Sequence, residues 1–122
     1  MRKSVILSGA VLSVFATAAF AHHSNAMYDQ TRNVEVDATV KMLEWTNPHA
    51  WVSVTYTDAS GAVKEVDLEL GSPTQLVRQG WRPKIVAPGD KVKVSFKPHK
   101  DGKPTGFLDT ISLPDGRTLT SE

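Results

Sequence analysis

Histidines at the start of the chain have the residue types and spacing to bind a metal ion. His22 and His23 directly follow Ala21, and His49 lies further along the chain, after Asn47-Pro48. If the chain is cut after Ala21, His22 gains a free amine that can chelate one ion together with its own imidazole. Copper(II) prefers nitrogen donors in a tetragonal arrangement and stands highest in the affinity order of the divalent first-row ions. These residues therefore predict a copper site formed by His22, His23 and His49.

The same histidines also have simpler interpretations. Histidines beside a cleavage point can belong to a disordered tail that binds metals weakly, and His49 can cap the turn that follows the proline. The metal interpretation adds Glu44 or Glu69 as a carboxylate that orients a histidine ligand through a hydrogen bond to its second ring nitrogen. It also depends on the cut, because a cut two or three residues earlier would remove the chelating amine from His22.

The first residues of the chain have the pattern of a secretory signal. Arg2 and Lys3 form a short basic start, Val5 to Phe20 is an apolar run without a charge, and Ala19-Phe20-Ala21 fits the small-x-small rule for cleavage. The apolar run is shorter than the roughly 20 residues that span a bilayer. The sequence therefore predicts a signal peptide over residues 1–21 and an exported, periplasmic protein with no membrane segment after cleavage.

Tryptophans suggest a second kind of site. Trp45 and Trp51 bracket the bend that carries the third histidine, so they predict a ligand cleft or a protein-docking surface at one mouth of the domain. Arg78 and Arg82 flank Trp81 and form a second candidate docking group, because a guanidinium can stack on an indole or bind a carboxylate. Packing in the core is the alternative role for each tryptophan.

The composition excludes several classes of function. The chain has no cysteine, which rules out thiolate zinc sites, iron–sulfur clusters and thiol redox chemistry. Its formal net charge is +1 at pH 7, so it lacks the surplus of positive charge typical of nucleic-acid binding. It also has no serine at a nucleophile-elbow spacing and no phosphate-binding glycine loop. We therefore expect no catalysis, and a partner that is an unknown periplasmic protein or a small ligand.

Alternating apolar and polar residues predict five short strands, since this alternation is typical of a strand with one buried face. The predicted strands cover residues 33–45, 49–57, 62–70, 91–96 and 107–113. A short helix is predicted between the third and fourth strands, with Ser72 as its N-cap, Pro73 at its first position and Gly80 as its end. The order β-β-β-α-β-β predicts an all-β fold with one short helix, a five-stranded OB-fold-like barrel. An SH3-like barrel or a small sandwich is the competing fold.

This barrel is predicted to be a single domain over residues 22–122 with a flexible N-terminal segment, residues 22–32. The alternation places Met42 on the core face of the first strand and Glu69 on the solvent face of the third. Leu76 and Val77 are expected to face the core from the helix. Met27 and Met42 also carry thioethers, which suit Cu(I).

Several stretches of the chain resemble DUF6152, a family of small exported bacterial proteins of unknown function. The matching stretches are "AHHS" from residue 21, "EWTNPHAW" from residue 44, "ELGSPTQLVRQGW" from residue 69, "PGD" from residue 88 and "LPDGRTL" from residue 113. The resemblance implies an exported single domain and brings no activity with it. This chain departs from the family pattern after Ser24, where Asn25-Ala26-Met27 replaces a common aromatic, which leaves open whether this segment packs on the domain.

Overall fold

The computed structural model describes residues 25–121, which form one mostly β domain. The predicted signal peptide, His22 and His23 lie outside the described residues. The elements are β1 (Val34–Glu44), β2 (Trp51–Thr57), β3 (Val63–Glu69), α1 (Pro73–Arg78), β4 (Lys91–Pro98), β5 (Thr105–Ser112) and β6 (Thr118–Thr120). Strands β1 to β5 match the five predicted strands. The short β6, which the sequence pattern does not predict, pairs with the end of β5.

Strand pairing closes the sheet into a barrel. The strand order is β3-β2-β1-β4-β5-β6, with antiparallel neighbours throughout and an additional parallel pairing of β3 with β5. That last pairing joins Asp67–Glu69 to Thr105–Phe107 and completes the ring. A closed five-stranded barrel with a helix between its third and fourth strands confirms the predicted OB-like fold.

A bulge in β1 changes which residues face the core. The register against β2 shifts between Val40 and Met42, so one extra residue bends the strand and reverses the alternation after it. Met42 is consequently 44% exposed, and Leu43 packs against the core instead. The expectation that Met42 lies on the core face is therefore wrong.

One apolar core fills the barrel, built from the inward residues of β1 to β5 together with α1 and the chain that follows it. Trp81 is the largest side chain buried in this core, and its indole N–H donates to the carbonyl oxygen of Thr120 at 2.7 Å. The fully buried members are Ala50, Val52, Val54, Leu68, Leu70, Leu76, Trp81, Val94, Leu108 and Ile111. The core therefore joins all five barrel strands to helix α1.

Helix α1 begins and ends as its sequence predicts. The Ser72 side chain accepts from the Gln75 backbone N–H, and the Gln75 side chain accepts from the Ser72 backbone N–H, which together form a capping box. Gly80 adopts a φ of 96° just after the helix. Leu76 is buried, but Val77 is 43% exposed, which corrects the expectation that both face the core. With only six residues, α1 has one turn and a half, enough for one core-facing position. Among residues 25–121, no helix is long and apolar enough to cross a membrane.

Closure of the barrel depends on a glycine. Gly106 pairs with Leu68 in β3 and with Pro98 in β4, so two strands approach it from opposite sides. A Cβ atom at Gly106 would lie 2.6 Å from Phe96 Cδ2 and 2.9 Å from the Lys97 carbonyl oxygen. Only a residue without a side chain therefore permits this approach.

We expect Gly106→Ala to destabilise the protein, because the added methyl group must displace β4. Overpacking of this kind costs about 1–3 kcal/mol of unfolding free energy. Urea unfolding followed by circular dichroism measures the effect as a lower midpoint with an unchanged slope. A midpoint equal to that of the parent protein would show that β5 does not need a glycine here.

Candidate functional site

The carboxylate of Glu69 is buried at the end of β3 and holds two side chains. Its Oε2 accepts a hydrogen bond from the Tyr28 hydroxyl at 2.5 Å, and its Oε1 contacts His49 Nδ1. Glu69 is only 5% exposed, so the expectation that it lies on a solvated face is wrong. Its pairing with Trp51 does place it on the outer face of the barrel, but other residues cover it there.

Tyr28 is the residue that covers Glu69. It is fully buried, and its ring packs against Phe107, with centroids 5.9 Å apart, and edge-on against His99 at 6.2 Å. Backbone hydrogen bonds fix the chain on both sides: Asp29 N–H donates to the Pro98 carbonyl at 2.8 Å, and Lys100 N–H donates to the Met27 carbonyl at 2.9 Å. The segment predicted to be flexible over residues 22–32 is therefore anchored at Tyr28.

The environment of Tyr28 changes its acidity. Burial raises the pKa of the Tyr28 phenol well above its ordinary value, and the hydrogen bond to Glu69 and the negative charge of that carboxylate raise it further. The phenol is consequently a hydrogen-bond donor throughout the physiological range, and it serves here as a fixed donor to Glu69.

His49 contacts Glu69 through one ring nitrogen, and its side chain is partly exposed. It lies in the bend between β1 and β2, which contains a cis Asn47–Pro48 peptide and a hydrogen bond of 2.7 Å from Thr46 Oγ1 to the His49 carbonyl. A carboxylate only accepts hydrogen bonds, so the contact is a hydrogen bond when Nδ1 carries the proton, and in that tautomer of the ring the lone pair is on Nε2. The side chain is 32% exposed, and Nε2 has no hydrogen-bond partner among residues 25–121.

His99 has a structural role. It is buried beside Tyr28, and its Nδ1 accepts a hydrogen bond of 3.0 Å from the backbone N–H of Asp101. An isolated bridge between Tyr28 and His99 ties the N-terminal segment to the loop between β4 and β5.

Of the two tryptophans that bracket the bend, Trp51 lines a cleft and Trp45 does not. A cleft of about 300 Å³ lies on the outer face of the barrel and is lined by Glu44, Trp51, Ser53, Asp67 and Thr105. Trp45, in contrast, is half-buried and packs against the core. The two tryptophans therefore bracket the bend, as the sequence indicates, without sharing one surface.

The second predicted docking group, Arg78, Trp81 and Arg82, is only partly at the surface. Trp81 is fully buried, so it offers nothing to a partner, and the packing alternative is the correct one. Arg82 donates to the carbonyl oxygens of Trp81 at 2.6 Å and of Val77 at 3.2 Å, which fastens the end of α1. Arg78 is exposed and lines a shallow surface depression with Pro73, Thr74 and Val77.

Within residues 25–121 there is no group of three histidine, cysteine, aspartate or glutamate side chains that could hold a metal ion. His49 and Glu69 lie together, whereas Glu44 lines the cleft at the side of Trp51.

The role of Tyr28 was not predicted from the sequence. Its signal was an isolated aromatic residue in the polar stretch "NAMYDQTRN", which is unusual for a tail that packs on nothing.

The sequence matches the family of unknown function DUF6152 over residues 3–109, which is most of the chain. Comparisons with curated proteins and with solved structures give no significant match. The matched range contains every stretch on which the resemblance was based except "LPDGRTL", and the match brings no activity with it.

We expect the buried Tyr28 phenol to make stability depend on alkaline pH. The folded protein holds this proton above its unfolded pKa of 10.0, so the stabilisation is complete below pH 10 and is lost as the pH rises further. Urea unfolding between pH 8 and pH 11 should therefore show a steeper loss of unfolding free energy for the parent protein than for Tyr28→Phe.

Tyr56→Phe is the matched control, since the chain has two tyrosines and the Tyr56 hydroxyl makes no hydrogen bond within residues 25–121. This control should keep the steep loss of the parent. At neutral pH, Tyr28→Phe should also cost about 1–3 kcal/mol, because Glu69 loses a buried donor. Equal pH profiles for Tyr28→Phe and the parent would contradict the assignment.

Proposed function

The chain belongs to DUF6152, a family of unknown function, and we propose from its own residues that it is an exported, non-catalytic module that binds copper. The proposed ligands are the amine and imidazole of His22, the imidazole of His23 and Nε2 of His49. Export is part of the proposal, because signal-peptide cleavage after Ala21 is what would free the amine.

One observation carries this proposal: Glu69 contacts His49 at Nδ1, while Nε2 bonds no residue within 25–121 and the side chain is 32% exposed. Histidines that bind metals commonly donate their second ring N–H to a carboxylate, which fixes the ring orientation and raises the basicity of the ligand nitrogen. A buried glutamate whose second oxygen is already bonded to Tyr28 cannot easily move away. The contact with a buried carboxylate therefore supports His49 as a ligand through Nε2.

The contact between Tyr28 and Glu69 also supports the proposal, because it brings the N-terminal segment close to His49. The Tyr28 hydroxyl and His49 Nδ1 contact the two oxygens of one carboxylate, so the anchored N-terminal segment and the bend meet at Glu69. The described chain begins at Asn25, two residues after His23. Two extended residues span about 7 Å, so the distance from the anchored segment to the proposed ligands is short.

The nature of the donors favours copper. An amine and three imidazoles are four nitrogen donors, the set that suits tetragonal Cu(II). Because the chain has no cysteine, thiolate-dependent metals have no ligands in it. The competing function, a non-catalytic accessory domain that docks a partner or a small ligand near Trp51, is favoured by the cleft at that residue.

We expect tight Cu²⁺ binding only when the His22 amine is free. Protein that begins at His22 and protein whose His22 amine carries an acetyl group should be titrated with Cu²⁺ against a chelator of known affinity. The acetyl group removes the amine from the chelate, so the affinity should fall by about tenfold or more. Equal weak binding in both forms would overturn the copper proposal.

The role of the buried carboxylate is tested separately with two glutamate variants. In protein that begins at His22, Glu69→Gln should weaken Cu²⁺ binding by about 10–100-fold, because the carboxylate that orients His49 is lost. His49→Ala should weaken binding at least as much. Glu44→Gln is the matched control, since Glu44 is exposed and makes no contact with His49 in the described structure.

Circular dichroism should first show that each variant is folded at the temperature of the titration. If Glu69→Gln and Glu44→Gln bind Cu²⁺ alike, Glu69 does not act on the metal through His49. If His49→Ala binds as the parent does, the ion is held by the N-terminal residues alone.

A further inference from the structure

The outer face of the barrel carries a cleft that the copper proposal does not use. We propose that this cleft, lined by Glu44, Trp51, Ser53, Asp67 and Thr105, binds a saccharide that carries no negative charge. The proposal is independent of the metal site, since neither His49 nor Glu69 lines the cleft.

The register of the strands builds this cleft from two rows of side chains. Directly opposite residues point to the same face of a sheet. In one row Glu44 pairs with Trp51, which pairs with Glu69; in the next, Ser53 pairs with Asp67, which pairs with Thr105.

Tyr28 and Phe107 cover the first row at Glu69 and leave it open at Trp51. The cleft is therefore the uncovered part of this face, and four strands of the closed barrel hold its lining. Sites built on strands are more rigid than sites built on loops, so the groups that would contact a ligand are already in position.

The lining combines an aromatic plane with hydrogen-bond acceptors. Trp51 is half-buried and lines the cleft, so part of its large apolar ring system is available to the C–H face of a pyranose. Glu44 and Asp67 are carboxylates, which only accept hydrogen bonds when ionised. Ser53 donates to Asp67 at 2.7 Å and so orients that carboxylate. A ligand that fits needs one apolar face and several hydroxyl donors at its edge, as a sugar ring has.

The negative charges that line the cleft restrict the kind of saccharide that can bind there. Glu44 and Asp67 give the cleft two negative charges, and Lys41, a cation near Asp67, is bonded to Glu65 at 2.9 Å. A uronic acid, a sulfated sugar or a nucleic-acid phosphate would be repelled. A volume of about 300 Å³ is at the lower end of ligand pockets. The cleft therefore fits a short neutral or amino sugar.

The test uses the whole processed protein after removal of metals with a chelator, so that failure of the copper proposal does not affect it. The probes are cellobiose as a neutral sugar, chitosan disaccharide as an amino sugar and glucuronic acid as an anionic sugar. Binding is followed by nuclear magnetic resonance of the Trp51 indole N–H, assigned by comparison with Trp51→Ala. We expect saturable shifts with at least one of the first two probes and none with glucuronic acid.

Two variants and one control locate the binding. Trp51→Ala should weaken it by about tenfold or more, as expected for an aromatic anchor. Asp67→Asn should weaken it as well while keeping the size of the side chain, which covers the case that Trp51→Ala does not fold. Glu65→Gln is the matched control, because Glu65 lies two residues earlier on the same face of β3 and bonds Lys41 outside the cleft.

Three results would overturn the proposal. These are no saturable shift with either cellobiose or chitosan disaccharide, equal binding of glucuronic acid, and equal loss of binding in Asp67→Asn and Glu65→Gln. Saturable binding of a lysine-rich peptide in place of the sugars would assign the cleft to a basic protein partner instead.

Discussion

The parallel pairing of β3 with β5 is the constraint on which the rest of the structure depends. Without its three residue pairs, the strands would form an open sheet whose edges and apolar face were exposed. The pairing requires a residue without a side chain at Gly106, where β5 lies between two strands. It also ends at Glu69 opposite Phe107. Closure of the barrel therefore fixes the place at which the buried carboxylate lies.

Burial of Glu69 then organises one end of the molecule. An ionised carboxylate removed from water is strongly destabilising unless hydrogen-bond donors and neighbouring groups compensate it. Two side chains from distant parts of the sequence, Tyr28 and His49, supply contacts to its two oxygens. The N-terminal segment and the bend after β1 are thus brought together by one shared acceptor. The contact with Glu69 also orients His49, which links the stability of this end to the proposed function.

One row of residues on the outer face of the sheet is covered at one end and open at the other. At one end of the row, Tyr28 and Phe107 cover Glu69 and exclude water from it. At the other end, Trp51 and Glu44 remain open beside Asp67. The proposed copper site and the proposed saccharide cleft are neighbours for this reason, although they share no ligand residue. A metal at the first and a sugar at the second would contact opposite ends of the same rigid surface.

The sequence by itself determined the elements of the fold, because strand alternation, the Ser72 cap and the turn glycines act over a few residues. It also singled out His49 and Glu69 as possible partners. It failed at Met42, where a bulge reversed the alternation, and at Val77, because α1 is too short for a second core position. The alternation correctly predicts that Glu69 lies on the outer face of the barrel. The expectation that water surrounds its side chain there is wrong, because Glu69 is buried. Only the tertiary structure decided that, because a tyrosine 41 residues away in sequence supplies both the cover and the hydrogen bond.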